Sequence, residues 1–174
     1  MSALFMVLDN CSARARVSRV NPMPGAERDR TGAQYRLDMT RTELLAFLQA
    51  QKVCVQASVH ADGRPQSAVV GYAVSDDMEL VFDTVTTSRK YANLVADPRC
   101  AITVWSEEIT VQLEGVADVP TAEDLERLRA CYFVAFPDGR DRLRAWPTLA
   151  YLRVRPTWAR YSDFATGTIA EVAL

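Results

Sequence analysis

The chain has 174 residues, 49% of them hydrophobic and 24% charged, with a formal net charge of -2. That length supports one domain with a real core, and the near-neutral balance argues against a nucleic-acid binder, which carries a large basic excess or stripe. One histidine, His60, and four widely spaced cysteines (Cys11, Cys54, Cys100, Cys131) suit neither a zinc site nor a histidine-based triad, so no metal is expected and the thiols read as reduced and structural.

Residues 1 to about 37 show no sustained period and hold several arginines with Asn21, Pro22, Pro24 and Gly25. They read as an N-terminal extension ahead of a domain over residues 38–174. The opening "MSALFMVLDN" is apolar for too short a stretch to span a bilayer and lacks a basic leader. Neither a signal peptide nor a transmembrane helix is expected, and the expected location is the cytoplasm.

From Thr40 the pattern tightens. Thr40 and Glu43 form a capping box, and Leu44, Leu45, Phe47 and Leu48 follow at amphipathic spacing, predicting a short helix to about Gln51. "VCVQASVHADGRPQSAVVGYAV" reads as two strands around a tight turn at Asp62 and Gly63, and a further turn at Ser75, Asp76 and Asp77 leads to the strand "MELVFDT".

The next segment, "DTVTTSRKYANL", predicts a helix beginning near Ser88, behind the hydroxyls of Thr86 and Thr87, with Tyr91, Leu94 and Val95 on one face. Its first turn carries Arg89 and Lys90, cations set against the positive end of the helix macrodipole, at a cost of roughly 0.3–1 kcal/mol each. Two readings are open. Either the cations are solvated and a hydroxyl caps the helix in the ordinary way, or hydroxyls, free amides and cations converge on a phosphate that relieves the conflict.

Asp97 and Pro98 end that helix. "CAITVW" and "ITVQLEGVADV" form another antiparallel pair, joined at Ser106, Glu107 and Glu108. "PTAEDLERLRACYFVAF" is a helix capped by Thr121, with Glu123 and Asp124 in the first turn, where the dipole favours them. "FPDGRDRLRAWP" reads as a charged loop or broken helix, and "LAYLRVRPTWARYSDF" as two last strands interrupted by Pro156. Six or seven mostly sequential strands with two or three helices predict a mainly β (α+β) antiparallel barrel. A parallel nucleotide-binding sheet is disfavoured by the tight hairpins and by the lack of a G-x-G-x-x-G run after a strand.

The ordered motifs "ADGRPQSAVVGYAV", "LVFDTVTTSRKYANLVADPR", "VQLEGVADV" and "YLRVRPTWARYSDF", spread over about residues 44–164, resemble the pyridoxamine 5′-phosphate oxidase-like family of FMN-binding split barrels. The resemblance implies an antiparallel split β-barrel in which Ser88, Arg89 and Lys90 hold the FMN phosphate. Ser67, Ala68, Val69 and Val70 would run along the isoalloxazine ring, and Asp83 and Thr84 would lie near the ribityl chain. Thr110 stands where the oxidases commonly have a flavin-contacting glutamine, and Ser67 where they often place an arginine.

The resemblance further implies a homodimer with two flavins at its interface and a small-molecule substrate, with no nucleic-acid or membrane partner. Trp146, Trp158, Arg160 and Tyr161 would face the partner's flavin or pack as aromatic core. Tyr72 occupies the place of a substrate-binding lysine, and "ARYSDF" lacks the histidine of the oxidases' arginine–x–histidine, so the likeness does not extend to vitamin oxidation. The expected protein is an FMN-dependent oxidoreductase of unassigned substrate. A deazaflavin-dependent reductase and a non-catalytic flavin-binding dimer are the alternatives on the same fold.

Overall fold

The structure, a computed structural model, describes residues 39–174; the extension expected over residues 1–37, and Cys11 within it, lie outside the described residues. In chain order the elements are α1 (Arg41–Ala50), β1 (Val53–Val59), β2 (Pro65–Val74), β3 (Leu80–Val85), α2 (Arg89–Ala96), β4 (Arg99–Ser106), β5 (Ile109–Asp118), α3 (Ala122–Ala135), α4 (Gly139–Ala145), β6 (Leu149–Asp163) and β7 (Thr168–Glu171). The seven strands form one antiparallel sheet in the order β3-β2-β1-β4-β5-β6-β7, and pairing of β3 with β6 closes it into a barrel.

Local chemistry starts α1 and turns the first hairpin where the sequence indicated, whereas β7 lies beyond the last strand expected. The Thr40 hydroxyl accepts from the Glu43 N–H at 3.2 Å while the Glu43 carboxylate accepts from the Thr40 N–H at 2.8 Å, completing the capping box of α1. Between β1 and β2 the His60 N–H donates to the Arg64 carbonyl at 2.9 Å, so the loop spans residues 61–63, one residue longer than a two-residue turn. Gly63 takes the left-handed conformation there, at φ 86°.

Three expectations are corrected. The described residues contain four helices rather than two or three, because "GRDRLRA" forms the short helix α4. Thr121 stands at the N-cap of α3, but its side chain makes no capping hydrogen bond. Pro156 does not divide the last strand in two. Glu114 pairs with Trp158 and Gly115 with Pro156, so Thr157 is an extra residue bulged out of one continuous β6. A bulge lets a proline without an N–H sit in a ladder.

Gly115 makes that bulge possible: a Cβ on it would lie 2.6 Å from the Arg155 carbonyl oxygen. Backbone cannot yield as a flexible side chain can, so Gly115→Ala is expected to lower stability by about 2–3 kcal/mol, read from the midpoint of urea unfolding.

Two apolar regions hold the fold. The barrel interior joins Leu44 and Leu48 of α1 with Tyr72, Leu80, Phe82, Ile102, Val104, Leu113 and Leu152. A second cluster, under α3, joins Ala73, Val81, Leu128, Tyr132 and Tyr151. Beside it the Arg153 side chain, 9% exposed, pairs with Asp118 at 2.6 Å, Asp124 at 2.8 Å and Glu79 at 3.0 Å. This network ties β5, β6, α3 and the residue just ahead of β3 together. Among the described residues no helix is long and apolar enough to cross a membrane.

Candidate functional site

The barrel is split on one side. β2 pairs with β1 from Pro65 to Gly71, but it pairs with β3 only through Tyr72, Ala73 and Val74. Residues 65–71 therefore present one edge with no strand beside it. The opposite bank is β3, whose Asp83, Thr84 and Val85 pair only with β6. A free strand edge exposes N–H and C=O groups in a row, which a planar ligand with edge donors and acceptors can satisfy.

The start of α2 lies at the head of this opening. Ser88 is its N-cap: the Ser88 hydroxyl accepts from the Tyr91 N–H at 3.2 Å and lies 2.9 Å from the Thr84 hydroxyl, fixing the turn to the end of β3. Geometry leaves the N–H groups of Arg89 and Lys90 without intrahelical partners. Neither of these two side chains pairs with a carboxylate among the described residues, whereas Arg127 and Arg129 of α3 and Arg142 and Arg144 of α4 do. The helix thus combines a positive dipole end, free donors and two uncompensated cations.

A cavity of about 340 Å³ opens there, lined by Gln56, Ser58, Gln66, Ser67, Ala68, Arg89 and Lys90. Its inner wall is polar. Asn93, buried on α2, donates to the Ser58 hydroxyl at 3.1 Å and to the Gln66 side-chain carbonyl at 3.0 Å. Gln56 is fully buried, and neither its Nε2 nor its Oε1 has a hydrogen-bond partner. A buried amide left so costs about 1–3 kcal/mol, and native proteins keep few of them without a reason. The donor set suits a phosphate ester: cations and amides for the anion, and neutral hydrogen-bonding groups beyond it.

Of the residues singled out from sequence, Ser67, Ala68, Arg89 and Lys90 meet around this cavity, while Ser88 and Thr84 do not line it and bond to each other at the turn into α2. Val69 is 66% exposed on the outer face, while Val70 points into the core. Asp83 turns toward α4, where the Arg142 Nε donates to its carboxylate at 3.1 Å, so it does not line the cavity. Thr110 pairs with Trp105 and Ser162 on the far hairpin and is not among the lining residues either.

Tyr72 is the clearest departure. Its ring is buried, it does not line the cavity at α2, and its hydroxyl already donates to the Leu48 carbonyl at 2.8 Å, so the polar atom expected to meet a substrate is taken and the residue serves the core. Val95 also departs: it is 60% exposed, and Asn93 takes the buried place on α2 instead. Trp146 is exposed, Trp158 and Arg160 are half-buried, and Tyr161 is buried.

Gln56, Ser58, Gln66 and Asn93 escaped the sequence reading. The available signal was the i, i+2, i+4 spacing of Cys54, Gln56 and Ser58, which puts all three on one strand face. Among the described residues the cysteines offer no nucleophile, since burial pushes the Cys54 thiol up to about 12, the Cys100 thiol to about 11 and the Cys131 thiol upward as well.

A larger cavity, about 690 Å³, lies between α1, β2 and α3, away from the free edge and the α2 terminus. Its charged lining residues include Asp76, Asp77 and Arg127, and Arg127 already pairs with Asp77 at 3.7 Å and with Glu79 at 2.5 Å. Lys52 lines it as well, with no carboxylate partner among the described residues, but the buried unpartnered amide and the adjacent pair of cations lie at the smaller one.

Fold and cavity together define an antiparallel split barrel with an anion-compatible cleft at a helix N-terminus. Over residues 40–163 the chain matches the model of the pyridoxamine 5′-phosphate oxidase family, and it belongs to that family. It is 36% identical over 105 residues to the pyridoxine/pyridoxamine 5′-phosphate oxidase of Burkholderia multivorans, an alignment that covers 59% of this chain and 47% of that protein. The chain thus spans about half the length of the curated relatives it matches.

Many solved structures share the fold, and two of them illustrate it. One is a heme binding protein from Mycobacterium smegmatis, with TM-score 0.64 and 22% identity, covering 73% of this chain and 55% of that one. The other is a pyridoxamine 5′-phosphate oxidase-related, FMN binding protein from Nostoc punctiforme, with TM-score 0.60 and 15% identity, covering 75% of this chain and 87% of that one.

Proposed function

We propose that this chain binds FMN in the cleft between β2 and β3 and works as a flavin-dependent oxidoreductase on a small molecule. The observation that carries the reading is that two cations, Arg89 and Lys90, with no carboxylate partner among the described residues, line one cavity with Gln66, Ser67 and Ala68 of the unpaired edge of β2. Arg89 and Lys90, with their own N–H groups, would hold the phosphate. The backbone of Ser67, Ala68, Val69 and Val70 would hydrogen-bond the ring edge, while Ser88 and Thr84 keep the turn in place. Bound there, the flavin supplies hydride and electron transfer, and the protein's share is to position the ring and admit a partner.

The cavity is near the small end of ligand sites, so it takes the phosphate and its chain while the ring lies outside against β2. A second copy of the chain would cover that ring. The outer face of β1, β2 and β4 offers Val53, Val55, Ala57, Val59, Val69 and Ala101 with no element over it among the described residues, and the three strands hold these residues in register. Such an apolar face favours a homodimer. Free, protonated Cys54 and Cys100 are consistent with a reducing compartment such as the cytoplasm.

Pyridoxine or pyridoxamine 5′-phosphate oxidation is not part of this reading, because Tyr72, at the position of the oxidases' lysine, carries no charge and has its hydroxyl bonded to the Leu48 carbonyl. Haem is not favoured either. The chain's one histidine, His60, sits on the hairpin loop between β1 and β2, with its Nδ1 2.8 Å from the Asp62 carboxylate.

The visible spectrum of freshly purified protein tests the proposal. A yellow protein absorbing near about 450 nm is expected, the band of oxidised flavin itself. A retained cofactor absorbing at shorter wavelength and inert to oxygen would favour a deazaflavin. Colourless protein that FMN does not stabilise in a thermal melt would overturn both, since a ligand that prefers the folded state raises its apparent stability.

A further inference from the structure

Building on the phosphate-ester reading above, we infer that Gln56 selects the hydroxyl-bearing chain next to the phosphate, so that the cavity discriminates a polyol phosphate ester from free phosphate. Gln56 sits on the inner face of β1, opposite Ala68 on β2 and Ile102 on β4. It is fully buried and forms part of the cavity wall. Its polar neighbours are already occupied: Asn93 bridges Ser58 and Gln66, leaving the Gln56 amide as the wall group with neither donor nor acceptor satisfied.

The two orphaned atoms make opposite demands. Nε2 needs an acceptor and Oε1 needs a donor. An ionised phosphate offers only acceptors, so it could answer Nε2 and would leave Oε1 unmet. Hydroxyls offer both, and a pair of adjacent hydroxyls can answer both atoms at once. Across the cavity the lining changes from cationic at Arg89 and Lys90 to neutral at Gln56, Ser58 and Gln66. A phosphate ester of a short polyol has the same sequence of groups, charged at one end and hydroxylated beyond it. The ribityl phosphate of a flavin is of this class, and so are sugar phosphates.

Gln56→Leu and Gln56→Met remove the amide at nearly constant volume, and two variants guard against one failing to fold. Both would be titrated with FMN and, separately, with inorganic phosphate, and melted without ligand. The expected result is an unchanged or raised melting temperature, since the orphaned amide has gone, with FMN affinity about tenfold weaker and phosphate-induced stabilisation unchanged.

Unaltered FMN affinity in both variants would overturn the inference, as would an equal loss for FMN and phosphate. The double variant Arg89→Ala/Lys90→Ala run in parallel separates the two levels. If it loses FMN while the Gln56 variants do not, only the role of Gln56 falls. If no variant loses FMN, the phosphate site itself is refuted.

Discussion

Replacing Arg89 and Lys90 together with alanine is expected to weaken FMN binding at least about a hundredfold. Each charge-assisted hydrogen bond to a phosphate contributes about 1.5–3 kcal/mol, and two such groups are removed at once. The backbone N–H groups and the Ser88 cap survive the change, so residual binding is expected rather than none. Flavin fluorescence titration reads the affinity. Without ligand, the same variant should melt at the same temperature or slightly higher, because the clash of the cations with the helix dipole disappears. A variant that binds FMN as the wild type does would remove the phosphate assignment.

The second large effect is on stability. Arg153→Ala leaves Glu79, Asp118 and Asp124 facing one another without the guanidinium that joins them. Removing one member of a buried ion network costs about 3–5 kcal/mol. Asp118 and Asp124 are about a third exposed and can recover some hydration, so a loss of about 3 kcal/mol is expected in urea unfolding.

The network also sets a pH dependence. Hydrogen bonding to Arg153 holds the Asp118 carboxyl below its ordinary value of 3.8, and Arg127, followed by Arg153, does the same for Asp124. Groups lowered on folding contribute stability that is fully present above their unfolded value and disappears as the pH falls through the folded one. Wild-type stability should therefore decline below about pH 4. In the Arg153→Ala variant that decline should be shallower, because Asp118 has lost its main partner. An equally steep acid profile in the variant would show that other carboxylates govern it.

Local signals in the sequence were read correctly where the physics is local. The Thr40 and Glu43 box, the Ser88 cap, the hairpins and the end of α2 at Asp97 each depend on a few neighbouring residues. The face of β1 did not. In "VCVQASV" the alternation offers a valine-rich face and a Cys-Gln-Ser face, and hydrophobicity alone would bury the valines. The structure buries Cys54, Gln56 and Ser58 and leaves Val53 and Val59 outside. Strand faces are assigned by register with partners distant in sequence, here Ala68 and Ile102, and a one-residue slip would exchange them.

By itself the sequence determined the antiparallel hairpins up to β5, the starts of α1 and α2 and the placing of two cations at the head of α2, because turn geometry, capping and dipole energetics act over a few residues. Tertiary structure alone decided that β3 closes on β6 and parts from β2. It also decided that Tyr72 serves the core, that Asp83 turns to Arg142, and that a buried amide joins the cations in one cavity. Those outcomes rest on pairings between segments dozens of residues apart, whose free energies no short stretch of chain contains.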